Sequence, residues 1–249
     1  MSERLLHATY RAEQRHFWFR GFRGFVRTFL EEATRGMAEP RMLDCGCGTG
    51  ANLNLLAGFG RPFGIDITEV GLRYAFEYGQ PRVARASITT LPFADGRFDV
   101  VTAFDVLYSL GRKDEVRALA EMYRVLRPGG TLVVNVAALP ILRGNHAIFG
   151  GELRRSTRRR LRALLGRAGF TVVRLTYTNA SLFPLMLAVR MFQRTVGLAT
   201  PEESGTEIVV PASPINAVLS GAVALEARLL RLMDMPIGSS LLCLARRES

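Results

Sequence analysis

The 249-residue sequence predicts an α/β fold, a mostly parallel sheet with helices on both faces. Two observations carry that expectation. Between residues 41 and 137 short apolar runs alternate with amphipathic helical segments, the order that gives parallel strands linked by crossover helices. The first of these runs ends directly in a glycine-rich turn, "LDCGCGTGANLNLL" (43–56), which opens the next helix.

Residues 4 to 35 read as helical, with aromatic side chains crowded into "HFWFRGFRGF", and Pro40 ends that segment. "RMLDCG" is the first strand, and "GTGANLNLLAGFG" turns into a helix with Gly60 near its end. "RPFGIDI" is the second strand, followed by the helix "TEVGLRYAFEYG" with Thr68 as its N-cap. "PRVARASI" is a third, weaker strand and "LPFADGR" a turn. "FDVVTAFDV" has the apolar character of a buried strand. "KDEVRALAEMYRVL" is amphipathic, with Val116, Leu119, Met122, Tyr123 and Leu126 on one face. "RPGG" stops it, and "TLVVNVAA" is the fifth strand.

After residue 139 the rhythm changes. "LPILRGNHAIFGGEL" is irregular, and "STRRRLRALLGRAGF" is a helix capped by Ser156 or Thr157 and closed by Gly169. "FTVVRLTYT" is a sixth strand and "LFPLMLAVRMFQRTV" a strongly apolar helix. Residues 198 to 213 form a polar loop that suits a mobile gate. "PINAVLSGAVALEARLLRLM" is a final amphipathic helix, and "SSLLCLARR" the last strand.

A hydrophobic content of 48% fits a globular chain. No apolar run approaches the roughly 20 residues that span a bilayer, and the charged start does not read as a secretory signal. The three cysteines are an odd count, with Cys45 and Cys47 too close to bridge, which fits a reduced, cytoplasmic compartment. Cys-x-Cys without a second ligand pair predicts no zinc site. The net charge of +11 raises nucleic acid or an anionic surface as a partner. However, Lys113 is the single lysine among 33 basic residues, a skew typical of genome composition. At helical spacing the arginines of "ELRRSTRRRLRALLGRAGF" are expected to form a solvated face.

The glycines mark the ligand edge. Ligands of doubly wound sheets bind beyond the carboxyl ends of the strands, and the first strand ends at Asp44. Glycine permits positive φ and a close approach of backbone to ligand. Gly46, Gly48 and Ala51 satisfy the dinucleotide pattern G-x-G-x-x-[GA], and Asp66 at the end of the second strand suits a ribose. Three further features break the tie: the loop Asp44-x-Gly46-x-Gly48-x-Gly50, the turn in "LPFADGRFDVV", and the helix and Pro-Gly-Gly turn of "EMYRVLRPGGTLVV".

Together, over residues 40 to 137, these features resemble the class I S-adenosylmethionine (SAM)-dependent methyltransferases, in the small-molecule branch with a D-x-G-C-G-x-G loop. The resemblance implies a Rossmann-like sheet of seven strands with an antiparallel last strand. It also implies SAM as cofactor and S-adenosylhomocysteine as product. Backbone at Gly46, Cys47 and Gly48 would meet the methionyl moiety, with Asp44 ordering the loop. Asp66 would take the ribose hydroxyls, and Ile67 would pack on the adenine. Ser87 and the backbone of Ile88 would read the adenine edge, Ser87 standing where relatives usually have aspartate. Asp105 and Val106 would face the methionine or the methyl group.

"EQRHFWFRGFRGF" is similar to an H-[FW]-W-F-x-x-R stretch of some bacterial members, a helix covering the cofactor. Here Phe17, Trp18 and Phe19 would form the cover, with Arg20 or Arg23 near the SAM carboxylate. Relatives often read D-V-L-E-H after strand four. Tyr108 and Ser109 replace the Glu-His pair, so His146 and Tyr108 become the catalytic candidates, and Tyr10 and Tyr177 further pocket liners. The closing "PIGSSLLCLARR" resembles the "PFGxSL" strand of the same subgroup.

The expected organisation is one domain: a helical lid (1–39), a SAM-binding core (40–139) and acceptor-side additions (140–249). The apolar C-terminal helices favour a hydrophobic or amphipathic small-molecule acceptor, with a dimer interface or peripheral membrane contact as further uses. A nucleic-acid methyltransferase is the second reading, disfavoured because no N/D-P-P-Y/F/W motif is present. A non-catalytic SAM-fold partner and a cyclase or decarboxylase on the same fold complete the set.

Overall fold

The computed structural model describes residues 3–142, 152–195 and 208–248. Two helices, α1 (Glu3–Ala12) and α2 (Phe17–Ala33), precede the sheet. The first half then runs β1 (Arg41–Cys45), α3 (Ala51–Leu56), β2 (Arg61–Asp66), α4 (Glu69–Glu77), β3 (Val83–Arg85), β4 (Phe98–Phe104), α5 (Arg112–Val125) and β5 (Leu126–Ala137). The second half holds α6 (Arg158–Arg167), β6 (Phe170–Thr178), α7 (Phe183–Thr195), α8 (Ser213–Leu229) and β7 (Ser240–Arg247). The strands form one sheet in the order β3-β2-β1-β4-β5-β7-β6. β1 to β5 pair in parallel, whereas β7 inserts antiparallel between β5 and β6. The expected seven-stranded sheet with a reversed last strand is therefore present. The chain order turns back between β1 and β4, which places a crevice at their carboxyl ends.

β1 and β4 lie mid-sheet, and Met42, Leu43, Val100 and Val101 are fully buried there. Phe25, Phe29 and Leu30 of α2 join the same core. Each such side chain contributes about 1.5–3 kcal/mol of burial.

Several local expectations differ from what is found. Residues 4–35 are two helices, because His16 caps α2 with Nδ1 accepting from the Trp18 amide at 3.1 Å. On α5 the buried row is Glu115, Ala118, Leu119, Met122 and Val125, while Val116 is 52% exposed. Glu115 can turn inward because Arg154 and Arg160 approach its Oε2 at 2.9 and 2.5 Å. Those arginines come from the cluster expected to be a solvated face. Arg155 pairs with Glu152, and Arg158 donates to the Met235 carbonyl, leaving Arg159, Arg162 and Arg167 exposed. Thr157 caps α6, and "RPGG" begins β5 rather than preceding it. Val209 to Ala212 of the expected gate precede α8, and the rest of that loop to residue 207 lies outside the described residues.

The chain ends meet. Asn216 of α8 accepts from the Phe17 amide at 3.0 Å and donates to the Arg15 carbonyl at 2.9 Å. Gly21 brings α2 onto α8 so closely that a Cβ there would fall 2.2 Å from Val223. Among the described residues no helix is long and apolar enough to cross a membrane, and no cluster of His, Cys, Asp and Glu could hold a metal.

Candidate functional site

The site grows from the end of β1. The Gly46 and Cys47 amides donate to the Ile65 carbonyl at 2.8 and 2.9 Å, which folds the loop back over β2. Gly46 has φ +84°, and a Cβ there would fall 2.8 Å from Val106 Cγ2. Gly48 has φ +54° but opens onto empty space, so its backbone is free for close approach by a ligand. Cys47 is a buried thiol whose side chain faces Gly64 of β2.

Asp66 secures this loop. Its Oδ2 accepts from the Gly48 amide at 2.8 Å, and its Oδ1 from the Thr68 amide and hydroxyl at 2.8 and 2.6 Å. Thr68 thus spends its hydroxyl on Asp66 instead of capping α4, as its position predicts. Asp44 bonds elsewhere than the loop: Oδ1 accepts from the Thr102 hydroxyl at 2.6 Å, and Oδ2 is buried without a partner. Burial, with the Asp66 charge adding to it, pushes the Asp44 carboxyl up to about 7. Ile67 is 64% exposed beside this edge. Ser87 is tied into a turn, contacting the Thr89 hydroxyl at 2.7 Å and accepting from the Thr89 amide at 3.2 Å, with Ile88 buried next to it.

Across the crevice, β4 is followed by Asp105, a non-glycine residue at φ +55°. Its amide donates to the Asn135 carbonyl at 3.0 Å, and its Oδ1 accepts from Asn135 Nδ2 at 2.8 Å. This pair fixes the carboxylate at the ends of β4 and β5. Desolvation by neighbouring protein shifts the carboxyl upward, the Glu152 charge adding and the Asn135 hydrogen bond and Arg155 opposing. The residue is exposed, so solvent cancels much of that shift. Tyr108 stands nearby, its hydroxyl raised well above the usual phenol value by burial and by the Asp105 and Glu152 charges. The phenol therefore stays protonated at neutral pH. His146 lies outside the described residues.

The N-terminal helices reach the loop through a residue that the sequence pattern does not single out. Glu13 is buried, and its carboxylate accepts from the Thr49 hydroxyl at 2.8 and 2.9 Å and from the Tyr78 hydroxyl at 3.0 Å. Burial raises its pKa, while those hydrogen bonds and Arg23 oppose the rise. Tyr10 stacks on Tyr74 at 3.9 Å and donates to Glu77 at 2.8 Å, which seats α1 on α4. Phe17 and Trp18 pack against the core, and Phe22 meets Phe104 edge-on. Arg20 and Arg23 line a cleft between α2 and α3. Tyr177 lies on β6 beneath Arg158, away from the glycine loop.

Residues 43–134 match the family model described as a methyltransferase domain. A "Probable S-adenosylmethionine-dependent methyltransferase" of Mycolicibacterium smegmatis is 28% identical over 124 residues, covering 49% of this chain and 46% of that protein. An O-methyltransferase of Penicillium expansum is 31% identical over 188 residues, covering 69% of this chain and 65% of that protein. A solved SAM-dependent methyltransferase of Thermotoga maritima superposes with a TM-score of 0.58 at 18% identity, covering 98% of this chain and 100% of that one. Residues 43–134 are therefore a methyltransferase domain, on the class I SAM-dependent methyltransferase fold. The match spans less than half the length of the first curated relatives, 46%, 24% and 28%.

SAM is the cofactor of this methyltransferase family, and the residues present fit it. The open face of Gly48 admits its backbone-hugging amino-acid end. The exposed Ile67 offers an apolar surface for adenine. Asp44 Oδ2 is a buried acceptor awaiting a donor. After its three internal bonds Asp66 still has one acceptor site to spare, on Oδ2.

Proposed function

We propose that this methyltransferase moves a methyl group from SAM to a small, amphipathic organic acceptor, releasing S-adenosylhomocysteine. The observation that carries the reading is the pairing of an open glycine loop, held by Asp66, with a carboxylate fixed across the same crevice at Asp105. When bound, SAM supplies an electrophilic methyl group on a sulfonium. Asp66 and the Gly48 backbone position the cofactor, and Val106 packs against Gly46 to set the crevice floor. Asp105, whose carboxylate is held by Asn135 at the mouth of the crevice, is placed to take a proton from a hydroxyl or amine acceptor. Much of the rate comes from alignment of acceptor, methyl and sulfur.

An apolar acceptor is supported by α7, which packs on Pro140–Leu142 just beyond β5. Leu185, Val189 and Phe192 of that helix are exposed. A nucleic-acid acceptor has less support, because much of the arginine cluster is tied to Glu115, Glu152 and the Met235 carbonyl.

The test is calorimetric binding of S-adenosylhomocysteine to wild type and Asp66→Ala, then detection of product with amphipathic phenols, amines and acids. Binding that the substitution abolishes, with turnover on an apolar acceptor, is expected. Absence of heat from a folded wild-type protein would sink the reading.

A further inference from the structure

Outside the crevice, the most distinctive feature is the cleft between α2 and α3. It encloses about 420 Å³ and is lined by Gln14, Arg20, Arg23, Arg27, Asn54 and Leu55, together with Gly24 and Ala51. The three arginines fall at successive turns of α2, so one face of the helix turns three guanidinium groups into one concavity. No carboxylate lines it. Among the described residues neither Arg20 nor Arg27 forms an ion pair; Arg27 lies over the Phe59 ring at 5.4 Å. Arg23 donates to the Glu13 carbonyl at 2.8 Å, which anchors it and leaves its remaining N–H groups for a ligand.

Three like charges sharing a concavity repel one another unless a counter-charge joins them. Arg20 and Arg27 are seven residues apart, roughly 10 Å along the helix axis. That span exceeds a single phosphate and suits two or three linked ones. The guanidinium fork matches phosphate oxygens two at a time. Asn54, whose Oδ1 accepts from Gln80, adds an amide donor to the lining. The volume lies near the lower end for small-molecule sites. Neither Asp66, Asp105 nor Ile67 lines this cleft.

We infer that the α2–α3 cleft is a binding site for a small molecule carrying a di- or triphosphate, separate from the cofactor crevice. Arg23 lies between this site and Glu13, and Glu13 holds Thr49 of the glycine loop. An anion in the cleft therefore touches the element that shapes the cofactor loop.

The experiment is a calorimetric titration of inorganic pyrophosphate into the cofactor-free protein at low salt, repeated with saturating S-adenosylhomocysteine. It is independent of methyl transfer, so it stands if the acceptor assignment fails. Wild type is expected to bind pyrophosphate with or without S-adenosylhomocysteine. Arg27→Gln should weaken pyrophosphate binding by about tenfold, as loss of a charge-assisted contact does. It should leave S-adenosylhomocysteine binding and thermal stability unchanged. The double variant Arg20→Gln/Arg27→Gln should lose pyrophosphate binding. Three results would overturn the inference. One is no pyrophosphate binding by folded wild type. Another is pyrophosphate binding lost once S-adenosylhomocysteine is present, which makes the arginines part of the cofactor site. The third is single-stranded RNA binding tightly with steep salt dependence where pyrophosphate binds weakly.

Discussion

Replacing Asp44 by asparagine separates a buried charge from the shape of the residue that carries it. Asp44 is 1% exposed, and its carboxyl is pushed from 3.8 up to about 7, mainly by burial. A folded-state value above the unfolded one means that the folded protein holds the proton more tightly. The corresponding stability is complete below the unfolded value and is lost as pH rises through about 7. Between about pH 5 and about pH 8 the loss amounts to about 2–3 kcal/mol. Asparagine does not titrate, and its carbonyl can still accept from the Thr102 hydroxyl. Urea unfolding of wild type and Asp44→Asn across this range reads the effect directly. The variant should be the less stable protein at low pH, with the gap closing or reversing as the wild-type carboxylate ionises. Parallel stability curves would refute the assignment of a raised, titrating carboxyl to this position.

Three other substitutions test neighbouring parts of the argument. Glu13→Ala leaves the Thr49 and Tyr78 hydroxyls without their acceptor, and should cost about 2–4 kcal/mol in urea unfolding. The same variant should weaken S-adenosylhomocysteine binding by calorimetry, because the glycine loop loses its tie. Gly46→Ala meets both a φ of +84° and the Val106 side chain, for a loss of about 1–3 kcal/mol. Adding Val106→Ala should recover only the part due to the clash. Once an acceptor is known, kcat/KM should rise with pH as Asp105 ionises, with a midpoint above that of a free aspartate, and Asp105→Asn should abolish that rise.

The parts of the fold that were legible in the sequence are those made by neighbours in the chain. The β1 turn, β2 and Asp66 lie within 26 residues of one another, and the alternation of apolar runs with glycine turns reports them. What was hidden depends on distant partners. Glu115 reads as a solvent residue until Arg154 and Arg160 arrive, some 40 positions later, and α5 rotates accordingly. Glu13 looks like one more charge on a helical surface, because Thr49 and Tyr78 are remote from it in sequence. Thr68 has the position of an N-cap, yet the nearer Asp66 carboxylate claims its hydroxyl. The arginine cluster was misjudged for the same reason: spacing along a helix reveals a face but not what faces it.

The seam between α2 and α8 has a consequence for the order in which this protein can be built. The start of α2 leaves the ribosome well before its partner, and the surface that receives it is translated some 200 residues later. A contact of such sequence separation carries a large loop-closure cost and forms late. The glycine loop can be in place while the α2–α8 seam is still open, so β1 to β5 can fold before that seam closes.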